Sequence, residues 1–327
     1  MIRWYRSPVN RDELKELYRR NDLLASLQTL GYLGLLCLSG GFAIYSAYHW
    51  RWPATAALVF VHGTFFAFQI NAVHELGHNT VFRAKTVNQF FMQVFAFLGW
   101  INPYLFFASH QRHHYATLHP PEDLEVVLPM ETDWSKVWRW TFINLKGPWA
   151  VAAFHIRIVR GHYVGEWELH LFPEGEPEKR RIPRRWALFV LLGHATILAV
   201  SLALHWWMVP VVVTLAPYYG AWLHFLCNQT QHIGLSNNVE DYRLCCRTFL
   251  PNPFVRFLYW QMNYHIEHHM YVGVPCYYLG RLHRLIEKDL PPTPVGLLQT
   301  WKGINEILRR QKLEPGYAYV PNLPEST

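Results

Sequence analysis

Charged residues avoid long stretches of this chain. No Asp, Glu, Lys or Arg falls between Asp22 and Arg51, a run of 28 residues, and 23 more charge-free residues run from Trp52 to His74. The longest gap, Trp186 to Val239, is 54 residues. A bilayer core roughly 30 Å thick takes about 20 apolar residues of helix to cross. The first two runs predict one crossing each, over residues 23–48 and 54–74. The third predicts two, over 186–204 and 209–227, closed by His205-Trp206-Trp207. The expected fold is therefore all-α and integral to the membrane: four transmembrane helices in two hairpins, with interfacial helices and a cytosolic histidine-rich cap. A single domain spans 1–327, with 79–185 and 233–327 cytosolic or interfacial.

Other segments are apolar without reading as crossings. Thr86–Gln111 has no charge over 26 residues but is broken by Gly99, Asn102 and Pro103, which predicts a bent interfacial or re-entrant segment. Trp134–Val159 mixes Trp138, Trp140 and Trp149 with Lys136, Arg139, Lys146 and Arg157, the composition of a helix in the headgroup layer. Residues 161–185 are polar and Pro-broken and read as a loop. Residues 8–22 predict a short surface helix started by Pro8 and Asn10, with Leu14, Leu17 and Tyr18 as its apolar stripe. A basic amphipathic helix is expected after Gly280, and the tail beyond Pro315 is expected to be loose.

Charge orients this plan. The formal net charge is +7; six Lys/Arg lie in residues 1–22 and thirteen in 79–185, against Arg51 alone in the first turn between spans. The positive-inside rule then puts the N-terminus, the middle segment and the C-terminus on the cytoplasmic side. The basic excess is accounted for by topology and anionic lipid, with no nucleic acid required. The charged, amphipathic start lacks a short apolar core with a cleavage site, so no cleaved signal is expected. None of the five cysteines (Cys37, Cys227, Cys245, Cys246, Cys276) forms a CxxC pair, and all are expected as reduced thiols.

Candidate chemistry lies in the nineteen histidines. Nine fall into clusters: His74-x3-His78, His110-x2-His113-His114, Asn228-x3-His232 and His265-x2-His268-His269. Spacings of three and four bring helical side chains to one face. Every cluster falls at the expected cytoplasmic end of a span or in a cytoplasmic segment, so topology lets them converge. Gathered imidazoles repel when protonated, and bound metal keeps them neutral. Nine exceed the ligands of one ion and imply two. Nitrogen donors suit iron, copper, zinc or nickel; iron fits best a site open to dioxygen. Asn228, a weak donor, is expected to act through a metal-bound water. Glu75, Asp123, Glu267 and Asp241 lie close in sequence to the clusters. Ligating histidines usually give their other N–H to a carboxylate or carbonyl, so one or two of the first three are expected to do this, and Asp241 reads as surface charge. His74-Glu75-Leu76-Gly77-His78 also matches HExxH, the motif of zinc proteases with a glutamate base; such an enzyme has no use for the other histidines.

Taken in order, His74-x3-His78, His110-x2-His113-His114 and His265-x2-His268-His269 resemble the histidine boxes of the membrane fatty acid desaturase superfamily. Asn263-Tyr264-His265-Ile266-Glu267-His268-His269 is especially close to its third box, and Asn228-x3-His232 is similar to the extra element of the acyl-CoA branch. The resemblance covers roughly residues 20–290. It implies a four-helix stem, a cytosolic cap holding two iron ions on the nine histidines, dioxygen as co-substrate, and a double bond placed in the acyl chain of a lipid. Hydroxylation of a lipid or hydrocarbon is the neighbouring outcome in the same superfamily. No cytochrome b5 or ferredoxin segment is evident in the sequence, so electrons are expected from a separate carrier of one of those types. Three features bear on the branch: three residues rather than the four of acyl-CoA desaturases inside the first box, His265 rather than the glutamine of front-end desaturases opening the third, and Met270-Tyr271-Val272-Gly273-Val274-Pro275 following it in place of the usual phenylalanine-proline step.

Overall fold

The computed structural model describes residues 2–130 and 132–324, which are helical with isolated bridges in place of sheets. Among them, three helices are long and apolar enough to cross a membrane: Asp22–His49, Trp52–Gly77 and Pro177–Ala203. Helix α1 (Arg11–Leu17) starts where the Asn10 side chain accepts from the Asp12 N–H, and α2 (Asp22–His49) where Asn21 accepts from the N–H groups of Leu23 and Leu24. Each cap satisfies donors that a helix start leaves free. The outward face of α2 shows Leu27, Leu30, Leu38 and Phe42, all exposed, as a lipid-facing helix should. Pro53 opens α3 (Trp52–Phe66), at a position where its missing N–H costs nothing. The span continues past Ala67 and Phe68 as α4 (Gln69–Gly77), which delivers His74 and His78 at its end.

The charge-free Thr86–Gln111 forms α5 (Lys85–Leu98) and α6 (Pro103–Ala116), bent by 111°. Near the start of α5, Gln89 Nε2 donates to Asn79 Oδ1 at 2.8 Å, and on α6 the His110 ring lies 5.3 Å from that of His78. The segment is bent, as its breakers predict, and both of its ends lie near His78. The turn is made at Trp100, which has φ +54°, followed by Asn102, whose Nδ2 is held by the carbonyl of Pro183.

Two expectations in this region, the loop at 161–185 and the tail, need correction. The segment expected in the headgroup layer forms α7 (Trp134–Thr141) and α8 (Gly147–Val159), and α8 packs against the third long helix. Ile158 shares a cluster with Ala187, and Gly147 abuts the Tyr218 ring so closely that a Cβ would come within 2.5 Å of it. The loop at 161–185 contains α9 (Gly165–Leu171), and α10 (Pro177–Ala203) begins nine residues ahead of the expected span, passing through Pro183. The described part of the tail beyond Pro315, to Pro324, is docked rather than loose, Tyr319 N–H donating to the Gly234 carbonyl at 2.8 Å.

The expected fourth span, 209–227, is not one helix. It breaks into α11 (Met208–Val212), a 3₁₀ turn (Ala216–Tyr218) and α12 (Trp222–Asn228). The second hairpin thus has one continuous limb and one broken limb. Pro210 and Pro217 withhold N–H groups, and Gly220 has φ +74° and lies against the backbone of α3, where a Cβ would come within 2.6 Å of Thr64 N. Backbone that leaves a helix must find other partners, and here it does. The carbonyls of Val211, Val212 and Thr214 accept from Tyr219 Oη, His62 Nε2 and Trp100 Nε1, at 2.9, 2.8 and 3.0 Å. His194 sits between Thr214 Oγ1 and the Phe97 carbonyl. These lone histidines support backbone.

The cap is completed by α13 (Tyr242–Cys245), α14 (Pro253–Leu258), α15 (His265–Met270), α16 (Cys276–Ile286) and α17 (Leu297–Leu313). One apolar cluster runs from Tyr32 and Phe95 through Trp260 to Leu279 and Leu282, joining cap and stem. All five cysteines are free; Cys245 and Cys246 sulfurs lie 3.9 Å apart.

Candidate metal centre

Four elements converge on one place: the end of α4, the second half of α6, the exit turn of α12, and α15. They gather nine imidazoles into two groups. His74, His78, His110, His114 and His268 form the first; His113, His232, His265 and His269 form the second, and within each group the available ligand atoms lie within 4.8 Å of one another. In the first group Nε2 atoms are 3.4 Å apart for His74 and His78, 2.9 Å for His110 and His114, and 3.2 Å for His114 and His268. In the second they are 2.9 Å apart for His232 and His265 and 3.1 Å for His265 and His269.

Helical spacing explains the division. Residues four apart differ by about 40° around a helix and residues three apart by about 60° the other way. The pairs at i and i+4 (His74/His78, His110/His114, His265/His269) each stay within one group. The donors at i+3, His113 and His268, reach across to the other. The three-histidine faces of α6 and α15 therefore each serve both groups. The short α15 is set at its angle by Trp260 and Gln261, both at positive φ (+51° and +61°).

The second ring nitrogens of five of the nine are held. His74 Nδ1 lies 3.0 Å from Glu75 Oε1, which is also 3.7 Å from His268 Nδ1. His110 Nδ1 pairs with Glu125 at 2.8 Å and His113 Nδ1 with Asp123 at 2.8 Å. His232 Nδ1 donates to the Cys245 carbonyl at 2.8 Å, and His269 Nδ1 meets Thr117 Oγ1 at 3.1 Å. Each such contact fixes a ring so that Nε2 faces its group. Glu75 and Asp123 thus touch the clusters, whereas Glu267 is held by Thr248 and His283, and Asp241 pairs with Arg243. Glu125, Thr117 and the Cys245 carbonyl were not anticipated; Glu125, two residues beyond Asp123, had only that proximity as a signal. Asn228 ends α12, partly exposed, one helical turn before His232. His119 bonds to the Thr117 carbonyl and His224 packs on Phe68; both stand outside the groups.

Electrostatics favours neutral rings at most of the nine positions; at His113 burial is outweighed by the hydrogen bond to Asp123 and the charges of Glu125 and Asp123, which raise it. Burial, reinforced by neighbouring imidazoles, holds His265, His268 and His269 well below the ordinary histidine range, and burial lowers His232 to about 3. Neutral imidazole with an inward lone pair is the ligating form. Burial alone would raise Asp123, but hydrogen bonds from His113 and from backbone N–H groups carry it below the usual carboxylate range; burial leaves Glu125 raised. A donor set of imidazole nitrogen, mostly buried and in two groups, fits a pair of transition-metal ions. In HExxH proteases the glutamate faces a metal-bound water; here Glu75 is committed to two histidines.

No curated protein matches this chain. A family model does, over residues 50–301, a stretch that contains every histidine of the two groups. With helices able to span a membrane and histidine boxes gathered at their ends, the chain belongs to the fatty acid desaturase family and is a membrane oxidoreductase.

Proposed function

We propose that this protein is a dioxygen-dependent di-iron desaturase that places a double bond in the acyl chain of a lipid. The observation that carries the reading is the division of nine imidazoles into groups of five and four, each tight enough for one ion. His74, His78, His110, His114 and His268 hold one iron; His113, His232, His265 and His269 hold the other, with Asn228 placed to steady a water. Bound iron supplies the power to activate dioxygen and take hydrogen from an unactivated methylene. The chain's own residues do the rest. Glu75, Glu125 and Asp123 keep the imidazoles aimed. The surrounding apolar cluster, which includes Leu76, Leu118 and Ile266, excludes bulk water. Positioning is decisive, because misplacing a reacting carbon by about 1 Å costs on the order of 100-fold.

A lipid can reach this region from the side. An apolar groove of about 590 Å³ is lined by Phe90, Val94, Phe97, Trp186 and Phe189 from α5 and α10. Tyr104 and Ile182 also line a neighbouring cavity of about 610 Å³, which carries Lys85, Arg112 and Lys179. That cavity ends at Phe107, whose ring packs over Gly77 and lies 5.9 Å from His78. The termini and the metal centre face the cytoplasm, on the basic side of the chain, and electrons come from a separate carrier.

Metal analysis of the purified protein should find about two irons per chain, as two separate nitrogen-donor sites require. One zinc and no iron would sink the proposal. Lipid profiling of cells expressing the protein, set against His268→Ala, should show a new unsaturated acyl species that the variant fails to make; an alcohol in its place would redirect the reading to hydroxylation.

A further inference from the structure

Two electrons per turnover must enter a centre whose second histidine group is wholly buried. One line of rings leads from that group to the surface. The His269 ring lies 5.4 Å from Tyr242, and Tyr242 stacks on Trp4 with centroids 4.2 Å apart and planes 8° from parallel. Tyr242 is 1% exposed, whereas Trp4 is partly exposed, and its Nε1 is pinned to the Tyr115 carbonyl at 3.0 Å. The strand-like segment bearing Trp4 is strapped down on both sides: Tyr5 N–H donates to the Glu240 carbonyl, and Tyr271 Oη to the Ser7 carbonyl. Around Trp4 stand exposed Tyr5, Tyr115, Arg3 and Arg6.

Resting on the di-iron reading above, we infer that this patch is where a one-electron carrier docks and that Trp4 and Tyr242 conduct its electron to the iron held by His269. Small, transient contacts are typical of electron-transfer partners, which bury less than about 1,200 Å². The composition of the patch is that of an interface centre, where aromatic residues and arginine are enriched. Arg243 is held between Asp241 and Asp289, which leaves Arg3 and Arg6 as the exposed charges beside the rings. Each reduced carrier loses one electron and each ferric ion that receives one becomes ferrous; no bond forms or breaks along the ring path.

The test uses the full-length, iron-loaded enzyme, mixed without oxygen with a reduced [2Fe–2S] ferredoxin in one arm and a reduced cytochrome b5 in the other. Iron reduction is followed spectroscopically, with dithionite as a small reductant needing no docking. Trp4→Ala should weaken binding of the productive carrier about tenfold, the loss of one interface anchor, and slow reduction by it, while dithionite reduction and iron content stay unchanged. Trp4→Phe, which keeps a stacked ring, should restore most of the rate. Equal rates for wild type and Trp4→Ala with both carriers, or parallel slowing with dithionite, overturn the inference. Hydrogen exchange on the unmutated enzyme should show carrier-dependent protection around residues 3–6 and 113–117; protection elsewhere only, or none, also overturns it. Protein without iron would instead overturn the di-iron reading.

Discussion

The two histidine groups are built from the same side chain and differ in everything around it. The group of five includes His78 and His114, which are only half-buried, and draws on two carboxylates, Glu75 and Glu125. The group of four is buried throughout and leans on one carboxylate, a hydroxyl and a carbonyl. More anionic support and more access on one side, more enclosure on the other, suggest a division of labour. On the di-iron reading proposed above, the five-histidine ion would face substrate and dioxygen, and the four-histidine ion would be retained firmly and fed through Tyr242. Removing a ligand from each group is the strongest way to break that comparison. His265→Ala and His268→Ala should each abolish turnover, and each should lose the iron of its own group. Iron per chain therefore falls by about half rather than to zero, as two separate nitrogen-donor sites require. Loss of both ions from either single variant would show one coupled site.

A smaller effect is expected one layer out. Asp123→Asn leaves His113 without an anionic partner, and Glu75→Gln does the same to His74. Outer partners of this kind are worth about 10–100-fold in metal affinity. Competition with a chelator should show Asp123→Asn weakening the enclosed ion and Glu75→Gln the open one. If both variants weaken the same ion, the assignment of carboxylates to groups is wrong.

Acidity should separate the groups less sharply. The folded chain holds His232, His265, His268 and His269 below the unfolded value of 6.5. As pH falls through 6.5 the unfolded chain takes up protons that the folded chain refuses, so stability present above 6.5 drains away toward about 3, the His232 value. Protons also compete directly with metal. Iron content measured after equilibration from about pH 7 to about pH 5, either side of the ordinary histidine pKa, should fall, and the half-buried group should release first. Simultaneous release would remove the distinction in access.

Much of this was legible in the residues. Charge-free runs located three long helices, and the breakers Gly99, Asn102 and Pro103 foretold the bend of α5 and α6. Box spacing also held the division into two groups, since i+4 partners stay together and i+3 donors cross over. What escaped was set by tertiary partners. The limb at 209–227 is apolar enough to span, yet Pro210, Pro217 and Gly220 break it, and it persists because its carbonyls are caught by His62 and Trp100 from elsewhere and by its own Tyr219. Nothing local to that limb announces the contacts from His62 and Trp100. Glu125 was equally hidden, because its partner His110 lies fifteen residues back and only the fold between them brings the pair together.

Glu267 gives the smallest and most discriminating test. It stands between ligating histidines in sequence, closer to them than Asp123 is to His113. One step along a helix turns about 100°, and that step carries Glu267 away from both groups, to Thr248 and to His283 on α16. It is fully buried, so an amide in its place leaves the Thr248 hydroxyl or the His283 ring without an anionic acceptor. An unsatisfied buried polar group costs about 1–3 kcal/mol. Glu267→Gln should therefore lower thermal stability, read as unfolding temperature, while iron content and chelator resistance stay at the wild-type level for both groups. Loss of iron at normal stability would mean that Glu267 acts on the metals after all, through α15 rather than by contact.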